Sequence, residues 1–146
     1  MTKFACTNDT FRPAPHDGVR WLDVERDFCL ARDLWAKHGQ TISLDDWNGF
    51  HAAGYRYCAI IKDQAIAAKA AVWRYSEDAW EVAAVSTEPE YRRQGLGKAV
   101  VAFVTACIIQ SGRVATCTTE PENVAMRRTA ESVGFCECGS AAVDSE

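Results

Sequence analysis

The sequence predicts a mixed α/β (α+β) fold, in which an antiparallel meander runs into a β-α-β unit and helices flank one central sheet. Three observations carry this prediction. Three consecutive apolar, β-rich stretches lie between Tyr55 and Thr87, separated only by short polar turns. The period changes after Gly95, where residues 96–111 form a strongly apolar helical stretch that Gly112 ends. A further β-rich stretch follows at once, over residues 114–118.

The elements follow in chain order. The first twenty residues are irregular, broken by Pro13, Pro15 and Gly18, with short strands expected at 3–6 and 19–22. Residues 24–37 read as a helix, since Val24, Phe28, Ala31 and Trp35 recur at helical spacing and Gly39 ends the run. Ser43, with Asp46 three residues on, caps a second short helix that Gly54 stops. Strands are expected at 55–61, 65–75 and 79–87, joined by Lys62-Asp63-Gln64 and Ser76-Glu77-Asp78; connections this short imply antiparallel pairing. After the apolar helix and the 114–118 strand, Thr119-x-x-Glu122 is expected to act as a capping box for a last helix ending at Gly134. A final short strand is expected at 135–138. The third strand, the apolar helix and the 114–118 strand make one β-α-β unit, whose strands should be parallel neighbours.

Composition bounds the function. A length of 146 residues suits one domain over 1–146, with 48% apolar residues to build its core. Sixteen basic side chains against 20 acidic ones give a net charge of −4, which speaks against general binding to a polyanion such as nucleic acid. The seven cysteines are odd in number, form no CxxC pair and sit mostly in apolar runs, as reduced thiols of a cytoplasmic protein would. No metal-ligand spacing stands out, and no apolar run reaches the roughly 20 residues that span a bilayer.

The chemistry concentrates in Arg92-Arg93-Gln94-Gly95-Leu96-Gly97-Lys98, between a strand and a helix. Gly95 and Gly97 allow a sharp turn and a close backbone approach. The N–H groups of such a turn converge with those of the helix start on an anion, and Arg92, Arg93 and Lys98 add positive charge. The pattern lacks the Gly-Lys-Ser/Thr of a Walker loop and the third glycine of a dinucleotide fingerprint.

These residues resemble a known family. The run from Val85 to Gly97, Val-Ser-Thr-Glu-Pro-Glu-Tyr-Arg-Arg-Gln-Gly-Leu-Gly, looks like the acetyl-CoA signature of the GNAT N-acetyltransferases. Asn123, opening a helix that ends in Gly134-Phe135, is similar to that family's last motif. The resemblance covers the chain from Tyr55 onward and implies a GNAT fold with acetyl-CoA as cosubstrate. It places the coenzyme's pyrophosphate on the amides of Arg93, Gln94, Gly95, Leu96, Gly97 and Lys98, with Arg92 nearby. The pantetheine arm would pair with the backbone of Val85, Ser86 and Thr87, the Val85 N–H would polarise the thioester carbonyl, and Asn123 would bond the arm from the other side.

The family's reaction is direct attack by a neutral amine, so a base or a water chain must take a proton. Glu81 is the candidate base, fourteen positions before Gly95, with Ala83 and Val85 expected on its face of the strand. Many family members carry a tyrosine seven positions after the asparagine to protonate the leaving thiolate; here that position is Ala130. Thr129, Thr118, Cys117 or water could take over, and a thiolate of pKa about 8.5 also leaves tolerably without help. Cys117 reads as a small core thiol rather than a nucleophile. Arg127 and Arg128 are expected to pair with Glu131, and Trp73 to reach the acceptor cleft. The expected activity is acetyl transfer to a primary amine of a small molecule or peptide, by a monomer or homodimer. A non-catalytic acyl-CoA sensor and an acylator of aminoacyl-tRNA are the alternatives, the latter disfavoured by the charge.

Overall fold

The computed structural model describes residues 1–140. Among them, seven strands form one mixed sheet and four helices flank it. The strands are β1 (Thr2–Cys6), β2 (Val19–Trp21), β3 (Tyr55–Lys62), β4 (Ala65–Trp73), β5 (Ala79–Thr87), β6 (Val114–Thr119) and β7 (Cys136–Ser140). The helices are α1 (Phe28–Lys37), α2 (Leu44–Ala52), α3 (Leu96–Gln110) and α4 (Val124–Val133). The spatial order is β2-β3-β4-β5-β6-β1-β7. All neighbours run antiparallel except β5 and β6, the parallel pair of the predicted β-α-β unit.

The two sheet faces carry separate cores. On one, α3 and α4 press Val100, Val101, Val104, Ile108, Ala130 and Val133 onto Phe4, Cys58, Val72, Val82 and Cys117. On the other, α1 and α2 bring Ala31, Leu34 and Trp47 onto Tyr57, Ala59, Ile66 and Ala71. Trp47 is fully buried and its indole N–H donates to the Val24 carbonyl at 2.8 Å, so the largest side chain of this core leaves no orphan donor. Cys6, Cys58 and Cys117 are buried, as their apolar contexts imply, and all seven thiols are free.

The meander agrees with the sequence reading because its turns are chemically specified. Asp63 and Gln64 sit at φ 52° and 65°, the two positive values of a tight hairpin turn whose twist matches the strands it joins. Ser43 accepts from Asp46 N–H while Asp46 returns a bond to Ser43 N–H, a complete capping box at α2.

Three expectations need correction. The first helix begins at Phe28, not at residue 24. Asp23 accepts from the N–H groups of Glu25 and Arg26 at 2.9 and 2.8 Å, and Asp27 from Asp23 N–H at 2.6 Å. These local bonds hold the segment in turns, in competition with helix. The second correction concerns Thr119-x-x-Glu122. Thr119 is the last residue of β6, buried and paired with Thr2, so it caps nothing; Asn123 is the N-cap of α4, accepting from Met126 N–H at 3.1 Å.

The third lies inside β5. Lys69 opposes Ser86 and Ala71 opposes Ala83, so a two-residue step on β4 faces a three-residue step on β5. The extra residue makes a bulge, with Ala84 at φ 55°. Alternation breaks there, and Val85 joins Trp80 and Val82 on the α3 face instead of sharing a face with Glu81. Pairing of β5 to β6 spans only Ala79, Trp80 and Glu81, opposite Val114, Ala115 and Thr116. Beyond Glu81 the two parallel strands are no longer laddered, and the site opens in that gap.

Candidate active site

Two cavities flank the end of β5. The larger, about 690 Å³, is lined by Val85, Ser86 and Thr87 from β5, by the loop into α3, and by Asn123, Ala125, Met126 and Thr129 at the start of α4. That volume suits a sizeable organic ligand. Arg92, Arg93, Gly95, Leu96, Gly97 and Lys98 all contribute to its wall. Of the residues expected to hold the cofactor, only Gln94 stands outside this wall, exposed to solvent.

The loop into α3 turns its backbone sharply. After a single 3₁₀ turn over Pro89–Tyr91, Arg93 takes φ 66° and Gly95, the N-cap of α3, takes φ 78°. Left-handed residues here fold the backbone into a concave row of amides, which runs into the unpaired N–H groups of the helix start. The two glycines serve different ends. A Cβ on Gly95 would meet nothing within 4 Å, so its requirement is conformational; a Cβ on Gly97 would come within 3.2 Å of Thr87 Oγ1, so its requirement is the close approach of α3 to β5. Arg92 and Lys98 are exposed, and the Arg92 Nε–H reaches the Thr87 carbonyl at 3.4 Å.

Glu81 lies apart from the larger cavity, on the α1–α2 face of the sheet, where it is half-buried between Trp73 of β4 and Thr116 of β6. Tyr55, Trp73 and Tyr75 form an aromatic tier beside it: Tyr55 and Trp73 stack at 5.5 Å and 4°, and Trp73 and Tyr75 tilt together at 5.1 Å. The Tyr75 hydroxyl and Thr116 Oγ1 share a hydrogen bond of 3.0 Å. Burial pushes the Glu81 carboxyl above its ordinary value, and the Lys3 ammonium draws it partly back. A carboxyl raised in this way holds its proton to higher pH than an ordinary glutamate.

A second cavity of about 410 Å³ opens on the α1 side, between Leu34, Trp35, His38 and Gln40 and the strand residues Lys69, Ala84, Ser86 and Thr87. Glu88 lies at its edge, buried to 3% exposure, and holds Lys37 Nζ at 3.0 Å and His38 Nε2 at 2.9 Å. Burial alone would raise the Glu88 carboxyl, but bonds from His38 and Lys37 outweigh it and hold it below the usual carboxylate range. The sequence reading missed this pairing. Nothing local signals a partner fifty positions away.

Other candidates settle into structural roles. Cys117 is buried and its thiol is pushed up to about 12 by desolvation, so it is a poor nucleophile. Arg127 pairs with Glu137 of β7 and lies over the Phe4 ring, instead of pairing with Glu131. Arg127 and Glu131 lie four apart on one face of α4, but the Glu137 carboxylate takes the guanidinium. Ala130 is fully buried in the α3–α4 core, while Thr129 lines the cleft and donates to Ala125 O at 3.0 Å. Ala130→Tyr is therefore expected to overpack the core and cost about 1–3 kcal/mol, read as a lowered Tm, instead of restoring an acid.

A mixed sheet whose parallel strands part beside a glycine-bearing loop is the arrangement expected from the resemblance to the GNAT N-acetyltransferase family. Comparison with known proteins places the chain within it. The model of the acetyltransferase (GNAT) family matches residues 18–135, and the chain belongs to that family. Among solved structures, a GNAT-family protein from Novosphingobium aromaticivorans superposes with a TM-score of 0.74 at 22% identity over 94% of this chain. An acetyltransferase from the GNAT family of Colwellia psychrerythraea gives 0.73 at 14% identity, also over 94%. This chain spans 60% and 53% of those two proteins' own lengths. AAC(6')-Iy, solved in complex with the bisubstrate analogue CoA-S-monomethyl-acetylneamine, gives 0.62 at 20% identity over 82% of this chain and 90% of its own. At these identities the likeness is one of fold. No curated protein matches the sequence. Among the described residues, no helix is long and apolar enough to cross a membrane.

Proposed function

We propose that the chain is an N-acetyltransferase that moves the acetyl group of acetyl-CoA to a primary amine of a small molecule or peptide by direct attack. The observation that carries this reading is the continuous cleft from the left-handed loop at Arg93 and Gly95 to the unladdered end of β5. The pyrophosphate lies on the amides from Arg93 to Lys98, within reach of the Arg92 side chain. The pantetheine arm adds to Val85, Ser86 and Thr87 as a further strand, in the gap that β6 leaves. The Val85 N–H donates to the thioester carbonyl oxygen and stabilises the charge that forms there. Asn123 contacts the arm from the α4 side; its side-chain oxygen is engaged in the helix cap, so its amide N–H₂ is the group that serves.

The amine approaches from the α1–α2 face. Glu81 takes its proton, directly or through a water, and the raised carboxyl and the aromatic tier fit a site for a substrate that arrives as a cation. The nitrogen's lone pair adds to the thioester carbon, the C–S bond breaks, and the thiolate departs beside Thr129. The domain acts in a reducing, cytoplasmic setting as a monomer or homodimer, without nucleic acid or metal.

Burial of Ala130 in the core, and the placement of Glu81 outside the cleft, favour a second reading as an acyl-CoA-binding sensor. Thiol release from acetyl-CoA across a broad amine and peptide panel, with mass detection of the product, decides between them: acceptor-dependent release establishes the transferase, and tight binding without release establishes the sensor. Within the transferase, loss of activity in Thr129→Val with acetyl-CoA affinity preserved would identify Thr129 as the substitute acid. Full activity is the expected result, because a thiolate of pKa about 8.5 needs little help to leave.

A further inference from the structure

Lys69 reaches the bulge of β5 from behind. It stands on β4, opposite Ala59 and Ser86, half-buried in the wall of the 410 Å³ cavity. Its Nζ donates to the carbonyl oxygen of Ala84 at 2.6 Å and lies 5.4 Å from the centre of the Trp35 ring. It takes part in no ion pair among the described residues; Glu88, the nearby carboxylate, is engaged by Lys37 and His38.

The peptide unit that Lys69 touches joins Ala84 to Val85. Ala84 lines only the smaller cavity and Val85 only the larger, so this peptide is part of the partition between them. No cis bond occurs among the described residues, so the Ala84 carbonyl and the Val85 N–H point in opposite directions. A cation on the carbonyl oxygen draws electron density through the amide and strengthens the N–H as a donor on the far side, as hydrogen-bonded chains polarise one another.

We propose that Lys69 is a positioning residue that polarises the Ala84–Val85 peptide from the acceptor-side cavity, making the Val85 N–H a stronger donor to the thioester carbonyl. This rests on the assignment of that N–H to the carbonyl under Proposed function. Two features of the structure explain why a lysine is needed. Ala84 holds a left-handed conformation that a non-glycine residue adopts at a cost, and the bulge leaves its carbonyl out of the regular ladder. A long side chain from the neighbouring strand satisfies that carbonyl and supplies charge at the same time.

The device is sensitive to pH. Desolvation lowers the Lys69 pKa to about 8, with Glu88, and more weakly the Cys58 thiol of β3, drawing it upward. Around it lie His38 and Trp35 from α1, Lys37 through Glu88, and Arg92 from the loop; Ala59 of β3 brings no charge. The ammonium polarises the peptide below about pH 8, and the neutral amine that forms above it donates only weakly.

The test needs no acceptor. Carbonyl-labelled acetyl-CoA is bound to the whole protein, and its C=O stretch is followed by difference infrared spectroscopy from pH 6 to 10, with affinity measured by calorimetry in parallel. The wild type should show a band at lower wavenumber than free acetyl-CoA, and part of this displacement should disappear as pH rises through about 8. In Lys69→Met the band should sit high at every pH with affinity little changed, and kcat should fall about five- to tenfold once an acceptor is known, less than the loss of an entire oxyanion donor. Lys69→Arg should keep the low band to higher pH. If Lys69→Met fails to fold, the wild-type titration and the arginine variant still decide. Identical bands in wild type and Lys69→Met, with acetyl-CoA bound to both, would overturn the proposal. So would restoration of the low band by Ala84→Gly in the Lys69→Met background, because a glycine that takes the left-handed backbone unaided would show that Lys69 only holds shape. A wild type that binds no acetyl-CoA would remove the cofactor assignment itself, a result distinct from bound acetyl-CoA with an insensitive band.

Discussion

Gly95→Glu is expected to abolish acetyl-CoA binding in a protein that still folds. Gly95 sits at φ 78° at the N-cap of α3, with open space where a Cβ would project. A side chain there meets no atom, so the fold bears only the backbone cost of a left-handed non-glycine residue, about 1–2 kcal/mol. The ligand would meet a carboxylate among the amides proposed to receive its pyrophosphate. At about 4 Å and an effective dielectric near 20, two like charges repel by roughly 4 kcal/mol, which with lost amide geometry weakens binding by more than about a hundredfold. Gly95→Ala separates the causes, since it keeps the strain and omits the charge, and should lose far less. Calorimetry with acetyl-CoA and a thermal melt of each variant make the measurement. A folded Gly95→Glu protein with wild-type affinity would remove the pyrophosphate from this loop.

Glu81→Gln is expected to lower kcat by about a hundredfold, at the lower end of the range for general base catalysis, with acetyl-CoA affinity unchanged. The pH profile sharpens the test. Burial raises the Glu81 carboxyl, so the wild-type rate should climb as pH rises through that raised pKa and the carboxylate forms. The glutamine variant should lack this acidic limb. Stability should move the other way. A carboxyl whose folded pKa lies above its unfolded value contributes stability that is fully present below the unfolded pKa and is lost as pH rises through the folded one. Above that raised pKa the fold carries a half-buried charge, and Glu81→Gln should hold or raise Tm there while reducing turnover. A full-rate variant with an unaltered profile would assign deprotonation to water alone.

The turn of the glycine loop was legible because its requirements are local. A left-handed N-cap and a close helix–strand approach both demand glycine, and Gly95 and Gly97 advertise those demands in a strand-to-helix context. The bulge was not legible, since alanine has no preference for φ 55° and Ala84 sits in a run that alternates regularly on paper. Its effect on Val85 follows from register with β4, a property of two strands and not of one. The same limit applies to Glu88, whose partners Lys37 and His38 come from a distant helix. Two residues of similar capping chemistry, Thr119 and Asn123, competed for the start of α4. Pairing with Thr2 in the sheet claimed Thr119, and sequence spacing carries no trace of that pairing.

The place of β1 in the sheet sets an order on synthesis and folding. Thr2–Cys6 is held between β6 and β7, with Cys6 opposite Ala115 and Ala5 opposite Cys136. β1 thus pairs only once β6 and β7, far along the chain, have been made. Until then Phe4 and Cys6, both fully buried in the finished sheet, stay open to solvent and to chaperones. A nascent chain can close its meander early, because β3, β4 and β5 are joined by short hairpins, while the half that bears the larger cavity closes only after β7 is made. Removal of the first six residues would leave β6 and β7 with bare facing edges, the circumstance in which strands recruit a neighbour's backbone and aggregate.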